Sequence, residues 1–391
     1  MSNHANIQAI DLFCGCGGIS VAAKAVGFEV AAGLDIEPKY MATFAHNFRE
    51  SRSIAANLME LSPKELGGTL KIKRGELGLL VGGPPCQGFS KNVPRRSRFF
   101  DDEKNLLVLR FLHYCDWFRP RMIVMENVAE MKNGFDQAYS QEIIDVLSSK
   151  GYTVIHSVLN AADYGVPQRR RRAFFIAVSD GTPITLPTPS HSSPRQENDL
   201  FPSPDHVTVW DAIGDLPSVQ HGEGPDISAY ASDPRTPFQR WARMRSEMVT
   251  NHQARLLQPL QYERLAAIKP GQGLKDLPQH LKTRGGYSGA YGRLTKNMVA
   301  PTITRWVFHP GSGRWGHPVD IRTLTIREVA RIQSFQDDYV FVGSFVTQAG
   351  QLGNAVPPLL AEAILRHVGR QADLLSGDKI DEVLHRHAVN Q

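Results

Sequence analysis

The 391-residue sequence predicts an α/β fold: a mainly parallel sheet covered by helices on both faces, joined to a smaller, irregular domain. Three observations predict it. Short apolar runs alternate with amphipathic stretches through the first half. The connections are long enough to carry the crossover helices that parallel strands need. After residue 177 the alternation stops.

Taken in order, residues 9–13 read as a short apolar strand running into a glycine-rich turn, and residues 19–26 as a helix. Residues 29–34 give a second strand and 40–48 a second helix. Residues 77–81 and 122–125 are further buried strands. Between them Leu107, Val108, Phe111, Leu112, Cys115 and Phe118 recur at helical spacing and mark one apolar face. A last apolar strand spans 173–177. Residues 181–206 then hold six prolines, which neither a helix nor a central strand can propagate through. Regular structure returns where Val356, Leu360, Ala363, Ile364 and Val368 line up as a helical stripe. The expected division is therefore a sheet domain over 1–182, a small domain over 183–344, a segment 345–375 that returns to complete the first domain, and a polar tail over 376–391.

A hydrophobic share of 41% with 21% charged residues excludes disordered and fibrous classes. No run approaches the roughly 18 apolar residues of a membrane helix, and the first residues lack a basic segment followed by an apolar one, so a cytoplasmic location is expected. Cys14, Cys16, Cys86 and Cys115 are too irregular for a disulfide framework or a paired Cys-x-x-Cys zinc pattern, so no metal is expected. The net charge of +5 says little by itself, but basic residues gather at 91–98, 169–172, 235–245 and 282–305. One such cluster would be a solvated loop; the set suits a polyanionic partner.

Asp11-Leu12-Phe13-Cys14-Gly15-Cys16-Gly17-Gly18 places a strand end, a glycine turn and a helix start in succession. Such glycines let backbone approach a ligand closely, and an acid ending the next strand, here Asp35, can accept from ribose hydroxyls. Alone, the motif suits NAD as well as S-adenosylmethionine, or a tight turn with no ligand.

Sharper is Gly82-Gly83-Pro84-Pro85-Cys86-Gln87-Gly88-Phe89-Ser90, directly after a buried strand. A cysteine at the carboxyl end of a parallel strand lies where such sheets place active sites, and its thiolate is the reactive form. An inert buried thiol explains neither the rigid prolines nor the basic loop that follows. The next strand ends Met125-Glu126-Asn127-Val128, which sets a carboxyl group at the same sheet edge as a general acid and orienting group. Gln168-Arg169-Arg170-Arg171-Arg172 precedes the strand at 173–177; if alternation starts early, Arg170 and Arg172 share a face and can reach a base or phosphate.

With these motifs in this order, the chain resembles the bacterial DNA cytosine-5 methyltransferases from end to end. Arg293-Leu294, Pro301-Thr302-Ile303-Thr304 and Gly353-Asn354-Ala355-Val356 complete the match. The resemblance implies a Rossmann-like S-adenosylmethionine-dependent methyltransferase sheet in the first domain and a target-recognition role for the second. By it, Cys86 adds to carbon 6 of a flipped-out cytosine, Glu126 contacts ring nitrogen 3 and the exocyclic amine, and Arg170 and Arg172 position the base and the attacking loop. The cofactor, S-adenosylmethionine, would be held at the turn by Asp11, Phe13, Gly15, Gly17 and Gly18. Asp35, Ile36, Asn57 and Leu58 would line the same pocket, with Pro85, Leu107, Asn354 and Val356. Asn57 stands where many relatives carry an aspartate that accepts from the adenine amine; its carbonyl can still accept.

The implied partner is double-stranded DNA, contacted by Gln87, Ser90, Arg95, Arg96 and Arg293, with loop 91–100 closing over the base and side chains of 183–292 reading the target. A cognate restriction endonuclease in the same cell, a monomeric state and a place on the nucleoid belong to the same expectation. A tRNA-directed branch of the family and a non-catalytic DNA-binding relative are the rivals. A nicotinamide dehydrogenase explains only the first motif.

Overall fold

The computed structural model describes residues 7–85, 106–133, 138–193, 204–283 and 289–375, which fall into two compact units. The first unit comprises residues 1–160, 171–188 and 358–391. Its chain opens with β1 (Gln8–Leu12), α1 (Gly18–Ala25), β2 (Glu29–Asp35), α2 (Pro38–Asn47) and β3 (Arg52–Ala55). It continues through α3 (Pro63–Leu70), β4 (Leu79–Gly82), α4 (Leu106–Phe118) and β5 (Met122–Val128). After α5 (Glu130–Asn133) and α6 (Ala138–Ser149) come β6 (Thr153–Asn160) and β7 (Arg171–Val178). Helix starts follow local chemistry. Pro38 sits in the first turn of α2, where its missing N–H is no loss, and Glu37 caps it by accepting from Lys39 N. Ser62 and Glu65 close a reciprocal capping box on α3.

The seven strands order as β3-β2-β1-β4-β5-β7-β6. Pairs β1–β2, β1–β4, β2–β3 and β4–β5 are parallel, as expected, whereas β7 runs antiparallel to both β5 and β6. The order reverses at β1, which pairs with β2 on one side and β4 on the other. A crevice therefore opens at the carboxyl ends of β1 and β4, where ligands of open α/β sheets bind. Phe13 follows the first of those ends and Gly83 the second.

The core is apolar, with Ile10, Leu12, Leu80, Phe111, Ile123 and Phe175 buried together. Each such side chain contributes about 1.5–3 kcal/mol on leaving water. α4 buries Val108, Phe111, Leu112, Cys115 and Phe118, the stripe expected there. The final helix, α12 (Pro358–Gln371), packs on α1 and buries Leu360, Ile364 and Val368.

The second unit comprises residues 161–170 and 189–357. Its elements are short: α7 (Val209–Ile213), a two-residue ribbon of β8 (Ile227–Ser228) with β9 (Val249–Thr250), α8 (Pro237–Arg243), α9 (Pro259–Ala266), α10 (Ile326–Ile332) and α11 (Phe345–Asn354). Residues 161–170, expected in the first domain, group here because Gln168 bridges to Ala300 and Arg169 N–H donates to Ala300 O at 2.9 Å. Segment 345–357, expected to return to the first domain, also stays here, and only the helix from Pro358 returns. The tail 376–391 lies outside the described residues.

Candidate active site

The glycine turn is shaped by backbone that only small residues adopt with ease. Gly15 and Gly17 have φ of 57° and 91°, and Gly17 caps α1 with no side chain of its own. Phe13 shares the left-handed region at φ 60°, local strain of a kind that collects at functional sites. Asp35, expected at a ribose, holds this turn: Oδ2 accepts from Gly15 N and Oδ1 from Glu37 N, both at 2.9 Å. Burial raises its carboxyl above the ordinary range despite these bonds. Asp11 is buried more deeply. Ser20 Oγ donates to its Oδ2 at 2.6 Å, while Oδ1 is buried without a hydrogen-bond partner, and burial pushes this carboxyl up to about 7. Burial likewise raises the thiols of Cys14, Cys16 and Cys115, which leaves them protonated packing groups.

Beside the turn lies a cavity of about 480 Å³ lined by Phe13, Ile36, Asn57, Leu58, Pro85 and Leu107, all expected, and by Ala56, Met59 and Leu106, which were not. Its wall is apolar apart from Asn57. That side chain turns on itself, Oδ1 accepting from Met59 N at 3.0 Å and Nδ2 donating to Glu60 at 2.8 Å. Arg110 and Tyr114, unmarked in the sequence, fix this wall from α4. Arg110 donates to the carbonyls of Leu58 and Leu61 at 2.7 and 2.8 Å, and Tyr114 to Leu61 at 2.5 Å.

At the end of β5, Glu126 is 9% exposed and takes Arg172 Nε on its Oε1 at 2.9 Å. The bond fixes the rotation of the carboxyl group, the role that charge-assisted pairing fills best. Gly83 leaves room for it, since a Cβ there would come within 3.0 Å of Glu126 Oε2. Asn127 donates to Pro84 O at 2.8 Å and so ties the Pro84-Pro85 backbone to the same strand end. Cys86, Gln87, Ser90, Arg95 and Arg96, with loop 91–100, lie outside the described residues.

Two expected contacts are corrected. Arg170 lies one residue before β7, which begins at Arg171. It is buried, with Nη1 donating to Ile303 O at 3.0 Å and Nη2 to Gly353 O at 3.1 Å. Arg293, expected on DNA, is 6% exposed and donates to the carbonyls of His317, Ile268, Val319 and Asp320. Both guanidinium groups bind backbone within the second unit. Gln168 joins them, accepting from Ile303 N at 2.7 Å and donating to Gln333 at 2.8 Å. Asn354 ends α11 and Val356 follows it, in the second unit as well.

A family model for the C-5 cytosine-specific DNA methylases matches residues 7–370. The chain belongs to this family. The type II methyltransferase M1.HphI of Haemophilus parahaemolyticus is 34% identical over 366 residues, covering 93% of this chain and 87% of its own. M.DdeI of Desulfomicrobium norvegicum is 34% identical over 379 residues, with 93% and 88% covered. Among solved structures, one described as a candidate DNA modification methyltransferase encoded within an E. coli prophage superposes with a TM-score of 0.74 at 25% identity, over 94% of this chain and all of that one. The sheet, with its β7 antiparallel to its neighbours, is thus that of a C-5 cytosine methylase, an S-adenosylmethionine-dependent enzyme family. Among the described residues no helix is long and apolar enough to cross a membrane.

Proposed function

We propose that this methylase flips a cytosine out of a specific duplex sequence and methylates its carbon 5 through a covalent adduct on Cys86. The observation that carries the reading is the Arg172–Glu126 pair at the carboxyl edge of the sheet, beside the Pro84 carbonyl that Asn127 holds. A nucleophile on the residue after Pro85 would leave that edge on a pinned backbone.

The residues fit the family's cofactor. The apolar cavity suits a purine ring against Ile36 and Leu58, with Asn57 at the adenine amine. The buried, unpartnered Asp11 Oδ1 beside the glycine turn is an acceptor for a cationic group, and Asp35 has lone pairs left for ribose hydroxyls. Asn354 and Val356 belong to the same proposal, as do Gly18 and Leu107. When bound, S-adenosylmethionine supplies an electrophilic methyl group.

The chain's own groups do the rest. The Cys86 thiolate adds to carbon 6 of the flipped base, which makes carbon 5 nucleophilic. Glu126, held by Arg172, hydrogen-bonds ring nitrogen 3 and the exocyclic amine, orienting the ring and stabilising its altered charge. Transfer of the carbon 5 proton to solvent water, with its bonding pair forming the carbon 5–carbon 6 double bond as the Cys86 thiolate leaves, restores the ring. Arg170 acts at one remove, as a positioning residue through Ile303 and Gly353. Residues 183–292 are the place for base reading, and Gln87, Ser90, Arg95 and Arg96 for DNA contact. One chain supplies both units, so the proposal is for a monomer, and a restriction endonuclease of matching specificity fits the type II names of its relatives.

The test is trapping on duplex DNA carrying 5-fluorocytosine with S-adenosylmethionine present. The wild-type chain should form a denaturant-stable adduct that Cys86→Ala does not; methyl transfer by Cys86→Ala at the wild-type rate would sink the covalent route. Transfer to tRNA and not to duplex DNA would move the assignment to the family's other branch.

A further inference from the structure

We infer that Arg305 and Trp306 form a contact for the DNA strand, in which the Trp306 indole stacks on an unstacked base and Arg305 neutralises the phosphate beside it. The inference rests on the reading of this chain as a DNA methylase and names a part of the DNA surface that the motif residues leave unassigned.

Between buried Ile303 and Val307, the residues Thr304, Arg305 and Trp306 are all exposed, Trp306 by 51%. A lone exposed tryptophan is ordinary on a protein surface; this one is held and equipped. Its backbone is fixed on both sides. Ile303 is gripped by Gln168 and Arg170 at 2.7 and 3.0 Å. Thr302 Oγ1 donates to Arg169 O at 2.7 Å, and Trp306 O accepts from Ser312 Oγ at 2.6 Å and His309 N at 2.9 Å. Gly353 lies so close that a Cβ on it would collide with the backbone of Thr304 and Arg305. A platform fixed in this way loses little freedom when a ligand lands on it.

The chemistry suits nucleic acid. Arg305 lies 5.1 Å from the centre of the Trp306 ring, and Phe308, 5.7 Å from that ring, carries Arg255 at 4.9 Å. Guanidinium groups paired with aromatic faces, beside exposed hydroxyls, are what single strands and splayed bases bind. Charge agrees: residues 277–319 contain no Asp or Glu, while Lys282, Lys296, Arg305 and Arg314 lie among them. An acidic protein partner would suit the charge but gives the indole face no flat ring to meet.

The test compares Trp306→Ala, Trp306→Phe and Arg305→Gln with the wild-type chain. Binding is measured by anisotropy on a fluorescein-labelled duplex of mixed sequence with one unpaired base, at several salt concentrations. Methyl transfer to unmethylated plasmid DNA gives the KM for DNA and for S-adenosylmethionine separately. Trp306→Ala should weaken binding and raise the KM for DNA about tenfold or more, leave the KM for the cofactor unchanged, and be rescued largely by Trp306→Phe. Arg305→Gln should lower the slope of log affinity against log salt by about one. A merely structural role would move neither the salt slope nor one KM alone. Unchanged binding and unchanged KM for DNA in Trp306→Ala, in an enzyme that methylates plasmid normally, overturns this inference alone. Binding that depends on Trp306 in a wild-type chain that transfers no methyl group supports it while overturning the catalytic reading.

Discussion

The interiors of the two units, each taken by itself, differ in how far they rely on directed bonds. In the first, strands and helices bury Ile10, Leu80, Phe111 and Phe175 against one another, and the attraction has no direction. In the second, buried arginines join an apolar core of its own: Leu257, Leu265, Ile268, Leu277 and Leu281 cluster there, and Arg322, Arg327 and Arg331 stand beside Phe335 and Phe341 among the largest fully buried side chains of the described chain. Arg331 sits between Asp215 and Asp337, donating to Asp337 at 2.6 and 3.0 Å, to Asp215 and to Ala212 O. Arg322 grips Glu328 with two bonds of 2.8 Å, and Arg327 donates to the carbonyls of Thr250, Gln336 and Tyr339. Such bonds fix loops that have no regular ladder. A unit with few strands satisfies its buried backbone with guanidinium groups.

The sharpest way to break the comparison is to empty one such site. Arg331→Met leaves buried Asp215 and Asp337 to their longer ion pairs, with Arg243 at 3.4 Å and Arg327 at 3.6 Å, and should cost about 3–5 kcal/mol. Denaturant unfolding followed by tryptophan fluorescence reads it, since Trp210, Trp241, Trp306 and Trp315 all lie in the second unit and Trp117 alone in the first. A loss of less than about 1 kcal/mol, the level of a surface pair, would show that these arginines are dispensable.

Next in size is the response to acid, whose sign differs between the units. In the second, His252 is buried with Nε2 donating to Pro217 O at 2.7 Å and Nδ1 facing Thr325 Oγ1 at 2.9 Å, and His317 Nδ1 accepts from Asp320 N at 2.9 Å. Burial depresses both imidazoles. Below about pH 6.5 the unfolded chain takes up protons the folded one refuses, so this stability is present above that pH and is lost as pH falls. In the first, Asp11 is raised to about 7, so its contribution is full only below the unfolded value and declines as pH rises towards 7. Acidifying from pH 7.5 to 5.5 should therefore lower the midpoint read by tryptophan, and Asp11→Asn should remove the opposing trend from the first unit, read by amide exchange in β1. A tryptophan midpoint that rises on acidification would contradict the neutral-histidine account.

The smallest effect belongs to the apolar core. Ile123→Val in β5 should cost only about 0.5–1.5 kcal/mol, because neighbours relax around a lost methyl group. A cost equal to that of Arg331→Met would erase the distinction drawn between the units.

Legibility followed the same divide. Period and composition revealed β1, α1, β2, α2, β4, α4, β5 and β7, because buried parallel strands and amphipathic helices write their environment into residue type. They missed β3, with two exposed and two half-buried residues, and β6, whose Thr153–Asn160 mixes polar and apolar positions without a clean alternation. The cavity beside the glycine turn is lined mostly by residues that the resemblance names, yet Arg110 and Tyr114, which fix its wall, carry no local signal, and Asn127 sits in a quoted strand-end motif that says nothing of its bond to Pro84. The sequence offers Arg170 to the base and Arg293 to DNA because it shows charge and not burial.

By itself the sequence determined the alternating α/β half, the switch-point glycine turn and the order of motifs that names the family, since each depends on neighbours a few residues apart. Tertiary structure alone decided which arginine meets Glu126 and which meets backbone. It also decided where the chain crosses between units and how Thr304 to Trp306 are presented. Those outcomes depend on partners far away in the chain, such as Gly353 for Arg170 or Asp215 for Arg331. A guanidinium group is the same in water and in a core, and only the atoms that gather around it settle its role.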